Sequence, residues 1–462
     1  MTSYALCGVL FLGFYLAICG YISYKSLKKV KAEEDFFVGG GRVGLASTAI
    51  GYSSTLMSKV MVSAQTAYTV GFSGIWYTVL FSLNSLMIIL IIAGPFKKTG
   101  YLTITEYICK RYSFVASLLG GTCIVIQLVL ASIIPSLTTM GGIFSVLTSF
   151  KLFWGVCFAA TISLMYVLFS GWLSTVYTNI LHFIIGCTVM ISALVQVIIK
   201  FHGIPETISC TSLGIWNPFA IGINTIVTTA IIYIINSFSA AIAIQTIASS
   251  RKTREAKLAF LIGGVGLVII MGVLGTLMGV TARIICNENI AIIGIIKSLF
   301  ITSDYLGVIL SMGLFISLLP SITSALISTN TIIVRDIYAN IKKYVVDRQI
   351  LLMSRVMMIP IMILAVIGTL IWHEQLMEIG LLAFTLRNTT LLPLILFGMF
   401  WPKGNNIGAV LSIISTMCIV IFWYLFRNPF NIHPLYPGLF VSIVVYIIAS
   451  LFKGKESKNL FL

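Results

Sequence analysis

The sequence is poor in charge and poorest in acid: 9% of its 462 residues are charged, and only 13 are Asp or Glu. Soluble globular chains carry about 25% charged residues, so composition excludes a water-facing domain of any size. No Pro/Ser-rich linker, low-complexity tract or hydrophilic block interrupts the chain, and a single domain is expected. The nine cysteines form no Cys-x-x-Cys pair, which removes the usual thiol metal and redox motifs. Cys210 and Cys286 fall in loops on one side, where a disulfide and two unpaired thiols are both open. No basic residue precedes the first apolar run, and the first charge is Lys25, so a cleavable signal peptide is not expected. The sequence also offers no carboxylate pair, Cys/His arrangement or metal-ligand cluster, so enzyme chemistry is not expected either.

What is present is apolar. Hydrophobic residues make up 59% of the chain and the mean hydropathy is +1.07. Runs of roughly 20 residues recur from end to end, each long enough as a helix to cross a hydrocarbon core about 30 Å thick. Residues 86–93 and 443–448 are apolar on every side, whereas a membrane strand would alternate. An all-α integral membrane protein with about 13 transmembrane helices follows. The spans are placed near residues 3–24, 43–71, 73–96, 114–148, 152–170, 180–200 and 219–248, then 258–281, 305–331, 351–372, 377–400, 407–426 and 435–452. Lys and Arg divide between alternate loops, 22 on one side against Lys151, Lys200, Arg283, Lys297 and Arg427 on the other. The positive-inside rule then sets the N-terminus outside and the C-terminus in the cytoplasm of a multi-pass cell (inner) membrane protein. Charge that tracks topology in this way explains the net +16 without a nucleic-acid partner. The expected partners are membrane lipid and a small-molecule solute.

Two polar runs interrupt the pattern at mid-depth. Gly-Tyr-Ser-Ser-Thr-Leu-Met-Ser-Lys occupies residues 51–59 of the second span, and Leu-Leu-Pro-Ser-Ile-Thr-Ser occupies residues 318–324 of the ninth. Non-helical backbone at that depth is tolerated where it lines a buried or water-filled cavity, so broken second and ninth helices are expected to frame a central site. The plainer reading is Ser and Thr bonding back to their own helices or gluing neighbours together. All 13 acidic residues fall in loops or at span ends, which leaves no carboxylate at mid-depth to carry a proton or ligate an ion. Instead two cations lie within spans, Lys59 in the second and Arg387 in the eleventh. Each costs roughly 2.5–3.5 kcal/mol at a helix centre, which implies a role or at least wet surroundings. For Arg387, bonding to carbonyls or reaching water is the other reading. Asn236 and Ser237 stand midway along the seventh span, and Gln65, Asn84, Gln127 and Gln196 are polar at depth. Such residues are commonly interhelical glue; Gln65 is also kept as a solute contact, with Ser58, Lys59, Asn236, Ser237 and Arg387. The histidines, including His182, fall at span ends or in loops, so a histidine proton relay is not favoured.

Short motifs run in register along the chain: Glu-Asp-Phe-Phe-Val-Gly-Gly-Gly-Arg at residues 34–42, Ala-Tyr-Thr-Val-Gly-Phe-Ser-Gly at 67–74 and Tyr-Leu-Thr-Ile-Thr-Glu-Tyr at 101–107. Lys-Arg-Tyr follows at 110–112, then Ser-Gly-Trp at 170–172 leading to Tyr-Thr-Asn-Ile-Leu-His at 177–182. Residues 245–256, Arg-Asp-Ile-Tyr at 335–338 and 393–408 continue the series. Together they resemble the sodium:solute symporter family, which includes bacterial sodium/proline and sodium/sugar symporters.

The resemblance implies a LeuT-like fold with two inverted five-helix repeats, placed here at residues 43–200 and 219–400. An extra N-terminal helix at 3–24 would precede them and two C-terminal helices at 407–452 would follow. It also implies alternating access and a sodium ion held between the broken second helix and a pair of hydroxyls on the ninth. The matching positions are Ser54 and Met57, for their carbonyls, and Ser317, Pro320 and Ser321. Here the chain departs from the pattern. Pro320 has no side-chain oxygen, Thr323 stands where Asp is frequent, and Asn179 replaces the Asp of the loop motif. Sodium needs about five or six oxygens, so its site reads as weakened. No cofactor is expected, and the coupling ion is left as sodium or a proton. Three readings of Lys59 stay open: an ammonium in place of sodium bonded to second-helix carbonyls and Ser321, a partner for an anionic group of the solute, or a snorkelling lysine. The function expected is secondary active transport of a small polar organic solute, such as an amino acid, carboxylate or related metabolite. The alternative is a membrane sensor that keeps the fold and does not transport.

Overall fold

The computed structural model describes residues 3–28, 32–168, 171–202, 213–286, 288–342, 346–372 and 376–452. Among these, all regular structure is helical apart from one isolated backbone bridge between Val43 and Ser250. The Cys210–Cys286 pairing lies outside the described residues.

Among the described residues, eight helices are long and apolar enough to cross a membrane: Phe72–Thr99, Phe114–Thr148, Gly171–Lys200, Thr253–Ile285, Asp304–Ile341, Asp347–Trp372, Ile379–Phe400 and Asn406–Leu425. The bent pair Ile223–Asn236 and Ala241–Ser249 brings the number to as many as nine. Helices also stand at the other expected positions: Ser3–Leu27, the pair Leu45–Thr55 and Met57–Val70, Leu152–Leu168, and Leu435–Leu451. The helix Gly171–Lys200 starts well before the expected residue 180. His182 is therefore a buried interior residue, not a span end, and its ring pairs with the Tyr15 hydroxyl of the first helix.

The second span is interrupted as expected. Its two half-helices meet at Leu56, whose φ of -92° and ψ of 2° leave the helical region. The ninth span is not broken, and this corrects the sequence reading. Asp304–Asn330 passes through Pro320 as one helix and runs on into a π-helical stretch, Thr331–Tyr338. Pro320 removes one N–H but keeps a helical φ, and residues 310–332 are all buried. Packed against neighbouring helices along this length, the helix stays wound through Pro320.

The second interruption falls in the seventh span instead, where Ile223–Asn236 and Ala241–Ser249 meet at 42°. Three successive i to i−3 bonds end the first half, from the amides of Ser237, Phe238 and Ser239 to Ile234, Ile235 and Asn236. They tighten its last turn. Ala240, at ψ 88°, then redirects the chain.

A glycine-lined helix clamps both halves of the second span. A Cβ on Gly263 would lie 2.2 Å from the Ala49 carbonyl oxygen, and one on Gly279 would lie 2.0 Å from that of Ala64. Only glycine permits such backbone-to-backbone approach, the usual way helices pack tightly where lipid supplies no hydrophobic drive.

Candidate functional site

Interrupting a buried helix leaves amides and carbonyls that must find partners. At the Leu56 break Ser321, from the central helix Asp304–Asn330, supplies both. Its hydroxyl donates to the Thr55 carbonyl at 3.0 Å and accepts from the Ser58 amide at 3.2 Å. One side chain thus bridges the gap.

Next to the break lies a cavity of about 310 Å³, lined by Ser58, Lys59, Gln65 and Thr69 of the second half-helix and by Tyr77, Thr139 and Phe384. It runs along Met57–Val70 from the buried break to Thr69, which is exposed. A smaller chamber of about 60 Å³ adjoins it, shares Ser58, Lys59 and Phe384, and adds Gln127, Asn236, Ser321 and Arg387. Toward the Leu45 end the space shrinks to about 10 Å³ among Thr48, Tyr52, Asn179 and Ser249, room for roughly one water. Farther along that end Arg335 ties three elements together, at 3.6 Å from Glu33, 2.9 Å from Glu106 and 3.2 Å from Asp336. Burial pushes the Glu33 carboxyl above its ordinary pKa, and the Arg335 guanidinium draws it back.

Lys59 stands where the two chambers join, so it is not a lipid-facing, snorkelling residue. Its ammonium donates to the Ala131 carbonyl at 3.4 Å and sits 4.6 Å from the centre of the Phe384 ring. That carbonyl is available for a local reason. The residue four positions on is Pro135, which has no N–H to give, and Val129–Ile133 is a π-helical turn, a distortion frequent at functional sites. The geometry does not show the ammonium bonded to second-helix carbonyls and Ser321. Ser321 is already committed across the break, and Lys59 points away toward Ala131 and Phe384.

Arg387 is 2% exposed and faces the other chamber. It donates to Gln127 Oε1, to Asn236 Oδ1 and, at 2.9 Å, to Asn388 Oδ1. The acceptors are braced in turn: Asn236 donates to Asn84 at 2.9 Å, and Asn388 donates to the Ile232 carbonyl and accepts from Ser239, each at 3.0 Å. Neutral amides therefore solvate this charge, and among the described residues no carboxylate lines either chamber. Arg387 lies 5.4 Å from the centre of the same Phe384 ring. The two cations are thus at most about 10 Å apart and repel by at least roughly 1–2 kcal/mol at an effective dielectric constant near 20.

The residues named from sequence divide as follows. Ser58, Lys59, Gln65, Asn236, Arg387 and Ser321 line the chambers. Ser317 and Ser237 do not, because their hydroxyls bond back to the Leu314 and Ile234 carbonyls, both at 2.7 Å. Met57 is buried against Gly186, and Ser54 is buried with a hydroxyl that has no partner among the described residues. Pro320 is buried inside its helix, where Thr323 donates to its carbonyl at 3.4 Å. Phe384, Asn388 and the Ala131–Pro135 pair were not foreseen. The proline four residues after a span-centre alanine was the available signal for the last.

The sequence profile of the sodium:solute symporter family matches residues 36–415. The chain belongs to this family. As a member of the sodium:solute symporters it is a multi-pass membrane transporter, not an enzyme. Among relatives, sodium/proline symporter 2 of Staphylococcus saprophyticus is 21% identical, the alignment covering 96% of this chain and 92% of that one. A sodium-coupled sialic acid symporter, solved in a substrate-bound outward-open state, shares the fold at a TM-score of 0.84 and 18% identity, with 98% of this chain and 99% of that one covered. A nucleobase-cation-symport-1 transporter, closed around bromovinylhydantoin, aligns at a TM-score of 0.60 and 12% identity over 92% and 98% of the two chains.

Proposed function

We propose that this symporter carries a small polar organic solute, an amino acid, carboxylate or related metabolite, by alternating access, and that its sodium coupling is weakened. The observation that carries the reading is the cavity itself, which ends on Lys59 at a helix break and reaches the exposed Thr69. Its position supports an outward-facing arrangement of thirteen crossings, N-terminus outside and C-terminus cytoplasmic, the cytoplasmic path pinched near Thr48 and locked at Arg335. The two interruptions begin residues 43–200 and 219–400, as two inverted repeats with the same first helix would have it.

The donor set at the usual ion position does not fit sodium well. Pro320 gives no hydroxyl, while Ser317 and Ser321 donate their hydrogens to the Leu314 and Thr55 carbonyls and keep lone pairs on their oxygens, so the position is one side-chain ligand short. The loss of one oxygen weakens a site for a hard cation that takes about five or six. Lys59 does not fill the gap, since it faces the solute cavity.

Uptake of a labelled amino-acid and carboxylate panel into proteoliposomes tests both halves. Replacing external sodium with N-methylglucamine should change uptake by less than about twofold. Pro320→Ser restores a hydroxyl, and a ligand worth about 1.4 kcal/mol would raise sodium affinity roughly tenfold. Strong sodium stimulation of the wild type would defeat the coupling claim, and no uptake of any panel member would defeat transport.

A further inference from the structure

We propose that the solute is a small organic monocarboxylate without a cationic amine, its carboxylate accepting from the Lys59 ammonium beside Phe384 and its tail lying in the larger cavity. The inference rests on the transport reading and narrows it to a chemical class.

Three observations carry it. An ammonium has three donors, and Lys59 spends one on a long bond to Ala131, which leaves capacity aimed at the chamber junction. Its neighbour at the Phe384 ring is a second cation, Arg387, and no carboxylate among the described residues lines either chamber. A site with two positive charges and no negative one is incomplete electrostatically. A buried lysine within a span is normally paired or bathed in water, and a single anion at Lys59 would both pair it and relieve its repulsion from Arg387.

The same arithmetic disfavours a zwitterion, whose ammonium would enter a site with a surplus of positive charge and no carboxylate to receive it. Arg387 is poorly placed to take a second anionic group, because four of its five N–H donors are held by Gln127, Asn236 and Asn388 and its chamber measures about 60 Å³. The larger cavity, about 310 Å³, sits at the lower end of the range for small-molecule sites. Its walls suit a short tail with both apolar and hydroxylic surface: Met61, Tyr77 and Leu381 on one hand, Gln65, Thr66 and Thr139 on the other.

The test measures binding to the full-length protein in detergent, in sodium-free buffer, with two matched sets: lactate, lactamide and alanine, and phenylacetate, phenylacetamide and phenylglycine. At least one acid should bind roughly 10–100-fold more tightly than its amide and its amino acid, the range expected of a hydrogen-bonded charge against a neutral partner. Lys59→Met should erase that preference and Lys59→Arg should keep it. Should Lys59→Met fail to purify, the wild-type ratio decides alone. An amide or amino acid that matches its acid, a preference that survives in Lys59→Met, or no binding of either acid would each overturn the proposal. Uptake of the bound acid is followed in parallel. Acid-selective, Lys59-dependent binding without uptake would refute the transport reading while leaving the anion site standing.

Discussion

Asn236→Leu should destabilise the purified protein more than Arg387→Met does, although Arg387 carries the charge. In Asn236→Leu the guanidinium stays buried and loses one of its three amide oxygens, and Asn84 loses the donor at 2.9 Å that now serves its own oxygen. Removing a partner while the buried charge remains is the expensive case, roughly 3–5 kcal/mol. In Arg387→Met the charge itself leaves, and the stranded groups are neutral. Gln127 and Asn236 lose a donor, whereas Asn388 still accepts from Ser239 at 3.0 Å. Each neutral orphan costs about 1–3 kcal/mol, and release from burying a cation offsets part of that, so a net loss of roughly 1–3 kcal/mol is expected.

Denaturant or thermal unfolding of the two single variants and the double measures this. The double variant should resemble Arg387→Met alone, since without the cation the amide has less to satisfy, and the cycle should show a coupling of at least about 1 kcal/mol. An Arg387→Met protein less stable than Asn236→Leu would mean that the arginine holds the helices together through packing and not through the amide shell.

The helical membrane body was legible because hydropathy reports burial in lipid directly, and a helix stands at each expected span position, although Gly171–Lys200 starts well before residue 180. Breaks were harder. At the second span the Gly51–Lys59 run combined polarity with a lysine, and the interruption is there. At the ninth, Pro320 and three hydroxyl residues imitated a break, yet that helix is buried along residues 310–332, with Ser317 bonded internally and Ser321 and Ser328 bonded to neighbours. Local sequence could not tell a helix unwound around a cavity from one sealed in protein. At the seventh the reverse held: only Asn236, Ser237 and Ser239 mark an otherwise apolar stretch, and the turn depends on Asn388 and Arg387 from a helix about 150 positions away in sequence. Lys59 and Arg387 stood out because a charge in a span is costly wherever it points. Which way each points was settled by partners on distant helices, the Ala131 carbonyl for Lys59, the Gln127 and Asn236 amides for Arg387, and the Phe384 ring that both approach.

Gly279→Ala should cost stability and solute binding together, whereas the same added methyl group at Gly13 should be harmless. The new Cβ would stand 2.0 Å from the Ala64 carbonyl oxygen, 2.8 Å from its carbon and 3.0 Å from its Cα. All three are backbone, so no side chain can turn aside, and the helices must separate by about 1.5 Å before ordinary contact distances return. Overpacking of this kind costs roughly 1–3 kcal/mol, and more where neighbours cannot yield. Here yielding has a consequence. Ala64 belongs to the half-helix Met57–Val70, which also carries Ser58, Lys59, Gln65 and Thr69 into the cavity, so pushing on it shifts the cavity wall. Gly13→Ala is the matched control, since a Cβ there meets nothing within 4 Å and alanine favours the helix by up to about 1 kcal/mol. Melting temperature and ligand affinity should fall in Gly279→Ala and hold or rise in Gly13→Ala. Equal behaviour of the two would mean that the clamp on the second span can relax freely, and with it the placement of Lys59.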